Sequence, residues 1–477
     1  MKKRSFWICA IVALAASAVL AGCGTTSYFA GRSLPPSGLT NRVLIAIQNP
    51  SILTKGALEI VDAYYDIRGG YNGTPGSFSV SGFGAALPVT IQNMPEEQLG
   101  AIYSSGDGSL TLADYSKEKT NGSVSGLNGA SSSVFITRDQ KYIFAASQSA
   151  HVLSVIDQSL GSTYPLSLPG IYRISVNPGG SVALAFVQNS NYIYYPRALS
   201  AAQTLAYAGG TAKWPKAAVD CEPQNAPGWC LFQAQSPDAI DSTGSYYGAP
   251  LVFDHPEKAI FSADGSTAYV LNCGPECGGA TASISMLPTA PMIFTLGLAS
   301  GKLPTSVTSI AVPAASNALL SGSTMYVVGQ QQSGSTWAGT LSVLNMTNNS
   351  IIATTPISDG LPGGVSRMIL ADDNTLWIGM TKCDEGVRAA NGQPNGCLTM
   401  FNTSTNKVTL LEPFLGDLTG IAAVTGLHKI YVAQGGQVYI YSTTNGNSIN
   451  NQFVTVTGTA YDVAYMDGTT DSSNTVY

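Results

Sequence analysis

The side chains able to do chemistry are few: 3 His, 8 Cys and 5 Trp in 477 residues, of which only 10% are charged. His151, His255 and His428 stand far apart, and none has a second His four residues on, the spacing that places two imidazoles on one helix face around zinc. A Gly-x-Ser-x-Gly nucleophile elbow is missing, and Gly301-Lys302 runs into Leu303 where a phosphate loop would carry Ser or Thr. The densest acid-base group is Asp254, His255 and Glu257 around Pro256, a set that can exchange protons or hold a metal if it converges on a pocket. The same composition also makes an ordinary solvated loop. Asp372-Asp373-Asn374 has the chemistry of a hairpin turn. No catalytic residue is assigned, and neither a cofactor nor a metal is expected.

The N-terminus is MKKRSFWICAIVALAASAVLAGC, a basic head, an apolar run and small residues before Cys23. That order is a secretory signal over residues 1–22. Leu20-Ala-Gly-Cys23 resembles the bacterial lipobox, which implies cleavage before Cys23 and acylation of its thiol and amino group. Each buried acyl methylene contributes roughly 0.8 kcal/mol, so several chains on one Cys hold a protein at a bilayer. Gly24 in place of Asp implies, by the same resemblance, no retention in the inner membrane, so the expected address is the cell envelope, on the outer membrane or facing the periplasm. The mature chain keeps 19 basic and all 28 acidic residues, a net charge of −9, which argues against nucleic acid as a partner.

Cys9 leaves with the signal and Cys23 takes the lipid, so six cysteines remain. They fall into pairs close in sequence: Cys221 with Cys230, Cys273 with Cys277, and Cys383 with Cys397. Three local disulfides are expected at an exported address. For Cys273-Gly-Pro-Glu-Cys277 zinc is the rival reading, although no second Cys or His pair stands near it.

The elements that must position these residues are strands. Residues 339–360 read as a β-hairpin, two β-branched alternating runs about the Asn-rich turn 345–350. The first half recurs at 56–62, 108–114, 150–157, 396–402 and 436–442, and more loosely at 190–196 and 282–288. A second repeated strand, eight times over, precedes each copy, from residues 42–47 to 429–433. Most units have a further apolar strand before it, closed by turns such as Ala263-Asp-Gly265. Repeats of roughly 40 to 55 residues built from four antiparallel strands belong to the propeller range. The fold expected is all-β, one β-propeller over residues 42–466 with an insertion at 208–256. Eight blades are counted, with seven as the alternative. The first unit lacks its inner strand, and residues 461–466 follow the last repeat without a partner, so the C-terminal strand is expected to complete the N-terminal blade. Residues 23–41 read as the lipidated Cys and a flexible tether, and 467–477 as a tail.

Residues 342–357, together with Tyr431-Val-Ala433, Tyr326-Val-Val328, Tyr269-Val-Leu271 and Ser154-Val-Ile-Asp157, resemble the YVTN-type, lactonase-like β-propeller repeat. The resemblance covers most of residues 42–466 through framework positions, and no complete Tyr-Val-Thr-Asn occurs. It implies the propeller fold and a range of roles, from sugar-lactone hydrolysis to binding at the cell surface.

In such blades the second-to-third loops and the blade-to-blade loops emerge on one rim. Residues 330–339 with Trp337, 272–281 with Cys273 and Cys277, 382–396 with Cys383, and 208–256 with Cys221 and Cys230 are all expected there. Loops on a rigid scaffold carry function, and staples lower the entropy lost on binding. The expected binding residues are Trp214, Trp229 and Trp337 for contact area and His255, Asp384, Glu385 and Arg388 for charge. The function expected is a membrane-tethered scaffold for an envelope protein or glycan. The alternative is a lactonase-like hydrolase acting in the central funnel.

Overall fold

The computed structural model describes residues 32–49, 56–69, 78–127, 131, 133–225, 227–358, 364–381, 396–411, 416–449, 453–471 and 474. The signal, Cys9, Cys23, Cys383, Asp384, Glu385 and Arg388 lie outside them. Among the described residues no helix is long and apolar enough to cross a membrane.

Among the described residues the strands gather into eight antiparallel sheets set round an axis, an eight-bladed β-propeller, and one two-stranded ribbon, Ala239–Ile240 with Tyr246–Tyr247. Blades 2, 3, 5, 6 and 7 are four-stranded in chain order, and blade 4 carries a fifth strand. Blade 8 has three full strands, with short bridges Val438 to Val454 and Tyr441 to Ser448 on its outer side. Blade 1 is closed as expected: Thr459–Tyr465 pairs antiparallel with Arg42–Gln48, which pairs in turn with Ala57–Asp62. Its outer edge is Phe78 to Val80, whose backbone exchanges hydrogen bonds with Leu58 and Ile60.

Position within a blade decides what each strand must be made of. The second strands, such as Arg42–Gln48, Tyr142–Ser147 and Thr375–Met380, are buried on both faces and read as nearly unbroken apolar runs. An outer strand such as Ser162–Ser167 is wet on one face and alternates. The core follows the same logic: among the described residues it is divided into eight apolar clusters, one in each gap between consecutive blades. No blade buries both faces alone.

Inner strands present a free edge to the axis, and neighbouring blades satisfy it with side chains. Asp462 accepts from the Ile91 amide, Gln92 both accepts from Ile136 N and donates to Ile136 O, and Ser175 Oγ accepts from Ala259 N. Each bond spans two blades, so backbone groups that would otherwise be buried unpaired become inter-blade ties.

Two expectations about the termini and the insertion need correction. Of the segment read as tether, residues 32–41 are described, and these are docked by Ser37, whose amide and hydroxyl both donate to Glu118 at 2.8 and 2.5 Å. Residues 208–256 are not one blade-to-blade loop. The helix Ala201–Ala208 starts at a capping box, Ser200 with Gln203, and the chain then runs into Ala218–Glu222 and back through Trp229–Gln233. Trp229–Gln233 is the fourth strand of blade 4 and Ala218–Glu222 its fifth. Only residues 234–255 connect to blade 5. The Cys221–Cys230 disulfide joins two paired strands of one blade and is not a staple on a loop.

Candidate functional site

Where blades 4 and 5 meet, on the rim of the second-to-third loops, the surface opens into a cavity of about 330 Å³. It is lined by Tyr172, Gln188, Asn189, His255, Glu257, Glu276 and Cys277, among others. Three kinds of connection build it: the loop after Ala183–Val187, the entry into Pro256–Phe261, and the short 3-10 turn Gly274–Cys277.

His255 enters with φ of 56°, the left-handed region, and its Nδ1 lies 3.2 Å from Asp254 Oδ1. Asp254 also accepts from the amides of Ala280 and Thr281 at 2.6 to 3.0 Å. Burial alone would raise that carboxyl, but the Thr281 and Ala280 amides and His255 outweigh it and hold it below the usual range. Asp254 therefore braces the cysteine loop. Gly274 permits the close turn, since its φ is 60° and a Cβ there would come within 2.3 Å of the Ala282 nitrogen. Cys273 and Cys277 are joined in a disulfide. Glu276 reaches into blade 6, where its carboxylate accepts from Gln330 N at 2.8 Å.

Behind the cavity three cations converge from separate inner strands. Arg173 pairs with Glu257 at 2.8 Å, and Lys258, fully buried, donates to Asn317 Oδ1 at 2.6 Å. Arg367 comes from blade 7. Each sits third in its strand, in Ile171-Tyr-Arg, Pro256-Glu-Lys and Val365-Ser-Arg, directly after a shift in the strand register. The Lys258 ammonium is pushed well below the ordinary lysine range by burial first and then by Arg173 and Arg367, with Glu257 opposing.

This has a pH consequence. Below the ordinary lysine value of 10.5 the unfolded chain holds the Lys258 proton more tightly than the native one, so the native state loses stability as pH falls through its depressed pKa. Lys258→Met should remove that slope. Between neutral and alkaline pH the parent's unfolding midpoint should rise relative to the variant's; parallel curves would contradict a depressed lysine.

Of the expected binding residues, Trp214, Trp229, Trp337 and His255 are described, and these four stand in different surroundings. Trp337 lies on a projecting hairpin, Thr324–Ser333 with Thr336–Asn345, opposite Gln332. Trp214 is 44% exposed beside the fifth strand of blade 4. Trp229 is 1% exposed and packed on Tyr142, Tyr164 and Phe294, so it has no contact area to offer. Of the predicted charges His255 alone lies in the described residues, and it lines the cavity. Cys397 is disulfide-bonded, while Cys383, its expected partner, lies outside them. Asp372 and Asp373 are turn residues as expected, and they tie blade 7 to His428 of blade 8. Arg173, Lys258, Arg367 and Glu276 were not singled out from sequence. The apolar-x-cation opening shared by three inner strands was the available signal.

No protein-family model matches the sequence, and no curated protein sequence matches it. Solved structures do align. Apo AztD from Citrobacter koseri is 11% identical with a TM-score of 0.48, over 90% of this chain and 98% of that one. A putative 6-phosphogluconolactonase from Bacteroides fragilis is 11% identical with a TM-score of 0.42, over 89% and 98%. Dihydro-heme d1 dehydrogenase NirN in complex with DHE is 10% identical with a TM-score of 0.46, over 91% and 79%. At these values the likeness concerns the course of the chain, and function has to be read from this chain's own residues.

Proposed function

We propose that this propeller is a lipid-anchored scaffold of the bacterial envelope, of YVTN-like descent, tethered through Cys23 and binding another envelope protein at the outer side of blades 4 and 5. One observation carries the choice of surface. Among the described residues, eight of the fifteen large apolar side chains that stand exposed fall within residues 205–298, in the elements added to these two blades. Ile240 and Tyr246 face each other in a two-stranded ribbon. Lys302 lies over the Tyr246 ring at 4.7 Å, and Lys216 over Tyr247 at 4.2 Å while its amide donates to Asp241. Exposed apolar groups concentrated in one stretch of chain, and mixed there with aromatic and cationic ones, have the composition of protein-recognition surfaces. A second reading, a lactonase-like hydrolase, draws support from the ionisable groups around the 330 Å³ cavity.

A photocrosslinking side chain placed at Tyr246 in growing cells should yield one discrete protease-sensitive adduct, absent when the label is at Ile352 on blade 6 and lost with Leu298→Asp. Cys23→Ala should release the protein from membranes. Equal adducts at both positions, or none at Tyr246, would sink the docking surface. An adduct cleaved only by glycosidases would replace the protein partner with a glycan. Hydrolysis of a sugar lactone abolished by Glu257→Gln would favour the second reading.

A further inference from the structure

The geometry points to a redox-gated site for a thiophilic divalent cation, Zn²⁺ by its chemistry, formed by Cys273, Cys277 and Glu257 when the disulfide is reduced. The ligand atoms of these three residues all lie within 4.8 Å of one another. Two thiolates and a carboxylate are a familiar zinc donor set, and tetrahedral geometry with the usual bond lengths puts sulfurs about 3.8 Å apart and sulfur about 3.5 Å from a carboxylate oxygen. Cys277 Sγ already stands 3.8 Å from Glu257 Oε2. The two Cα atoms are 5.7 Å apart. Side-chain rotation is therefore enough to part the sulfurs to the required spacing, with no movement of the turn.

The surroundings fit the ion. Glu257 gives Oε1 to Arg173 and turns Oε2 to the sulfurs, so one carboxylate serves both. A divalent ion with two thiolates and one carboxylate carries a net charge of −1, and the Arg173 guanidinium neutralises it. Asp254 holds the loop through the Ala280 and Thr281 amides, the kind of outer support that fixes metal ligands. Cys277 faces the cavity, which leaves the fourth coordination position to water or an incoming ligand.

The chemistry balances. A reducing dithiol attacks the Cys273–Cys277 bond, passes two electrons and two protons to the pair, and leaves as its own cyclic disulfide. The two thiols then bind the cation and release two protons. A disulfide oxidant reverses this by taking two electrons from the thiolates and ejecting the ion. Metal is thus held or released according to the thiol poise of the compartment.

Co²⁺ is the probe, added to the full chain after anaerobic phosphine reduction. The reduced protein should take up one equivalent with a thiolate-to-cobalt charge-transfer band and tetrahedral d-d absorption. The oxidised protein is the folded control and should take up none. Cys277→Ser should abolish the band, and Glu257→Gln, which keeps both sulfurs, should weaken binding at least ten-fold. Failure of the reduced chain to bind, uptake by the oxidised chain, or an unchanged band in the Cys277→Ser protein, which would assign the cobalt to other thiols, would each overturn the site.

Discussion

Replacing Asp467 with Ala is expected to cost about 3–5 kcal/mol of stability, the usual penalty for removing one partner of a buried ion pair. The reason lies in how the ring is sealed. In the other blades a covalent turn joins the inner strand to the second one, whereas in blade 1 these are the two ends of the chain, Thr459–Tyr465 and Arg42–Gln48. Arg42 and Asp467 stand where that turn would be. The Asp467 carboxylate accepts from the Arg42 amide at 2.7 Å and from its guanidinium at 2.6 to 3.1 Å, and both side chains are nearly fully buried. The same guanidinium donates to Tyr115 O and to Glu118, which in turn holds Ser37. Burial would lower the arginine's pKa, but Asp467 and Glu118 together raise it, so the charge is secure at every working pH. Asp467→Ala leaves that buried charge with Glu118 and Tyr115 O but without the carboxylate that takes most of its hydrogen bonds. Arg42→Met with Asp467→Leu and Glu118→Gln removes all three charges of the cluster together, with Gln still offering Ser37 an acceptor, and should recover most of the loss. Denaturation midpoints of the three proteins decide the matter. A single substitution costing under about 1 kcal/mol, against that 3–5 expected, would show that strand pairing alone seals the ring.

That closure was legible in the sequence, because a strand without a partner at one end and a unit without its inner strand at the other are complementary defects. The repeated strands were legible for a related reason. Burial on both faces forces apolar runs such as Arg42–Gln48 and Thr375–Met380, and the turns between them need Asp, Asn and Gly. The candidate site was less so. Arg173, Lys258 and Arg367 are far apart in the chain and become a group only once inner strands are aligned round an axis. His255 and Glu257 were visible as a cluster, but Glu276 sat inside a motif that read as a staple. The insertion was misread because its elements are short: the helix has eight residues and its returning strands five each. Its start was nonetheless encoded, since Ser200-Ala-Ala-Gln203 is a capping-box sequence. A period set by forty-residue blades hides a local departure of that size.

The same misreading makes Trp229 the sharpest remaining case. Read as a rim residue, its loss should barely affect stability; as placed by the structure, Trp229→Ala should cost about 3–5 kcal/mol, the range for deleting a large aromatic ring from a core. The indole fills the gap between blades 3 and 4, with ring centroids 5.5 Å from Tyr142, 6.0 Å from Tyr164 and 5.8 Å from Phe294. Pairing of Trp229 with Ala198 and Glu222 on either side, and the disulfide at Cys230, restrain the backbone from collapsing into the void. The cavity term should therefore persist and not relax away. Trp229 Nε1 is buried without a hydrogen-bond partner, a group whose removal costs nothing in bonding. Trp229→Phe keeps most of the ring contact and discards that orphan donor, so it should stay within about 1.5 kcal/mol of the parent. Thermal or urea midpoints separate the two substitutions, and the photocrosslink at Tyr246 supplies an independent readout. Loss of that adduct in Trp229→Phe, with stability unchanged, would return the indole to the surface and undo the placement of the fourth strand of blade 4.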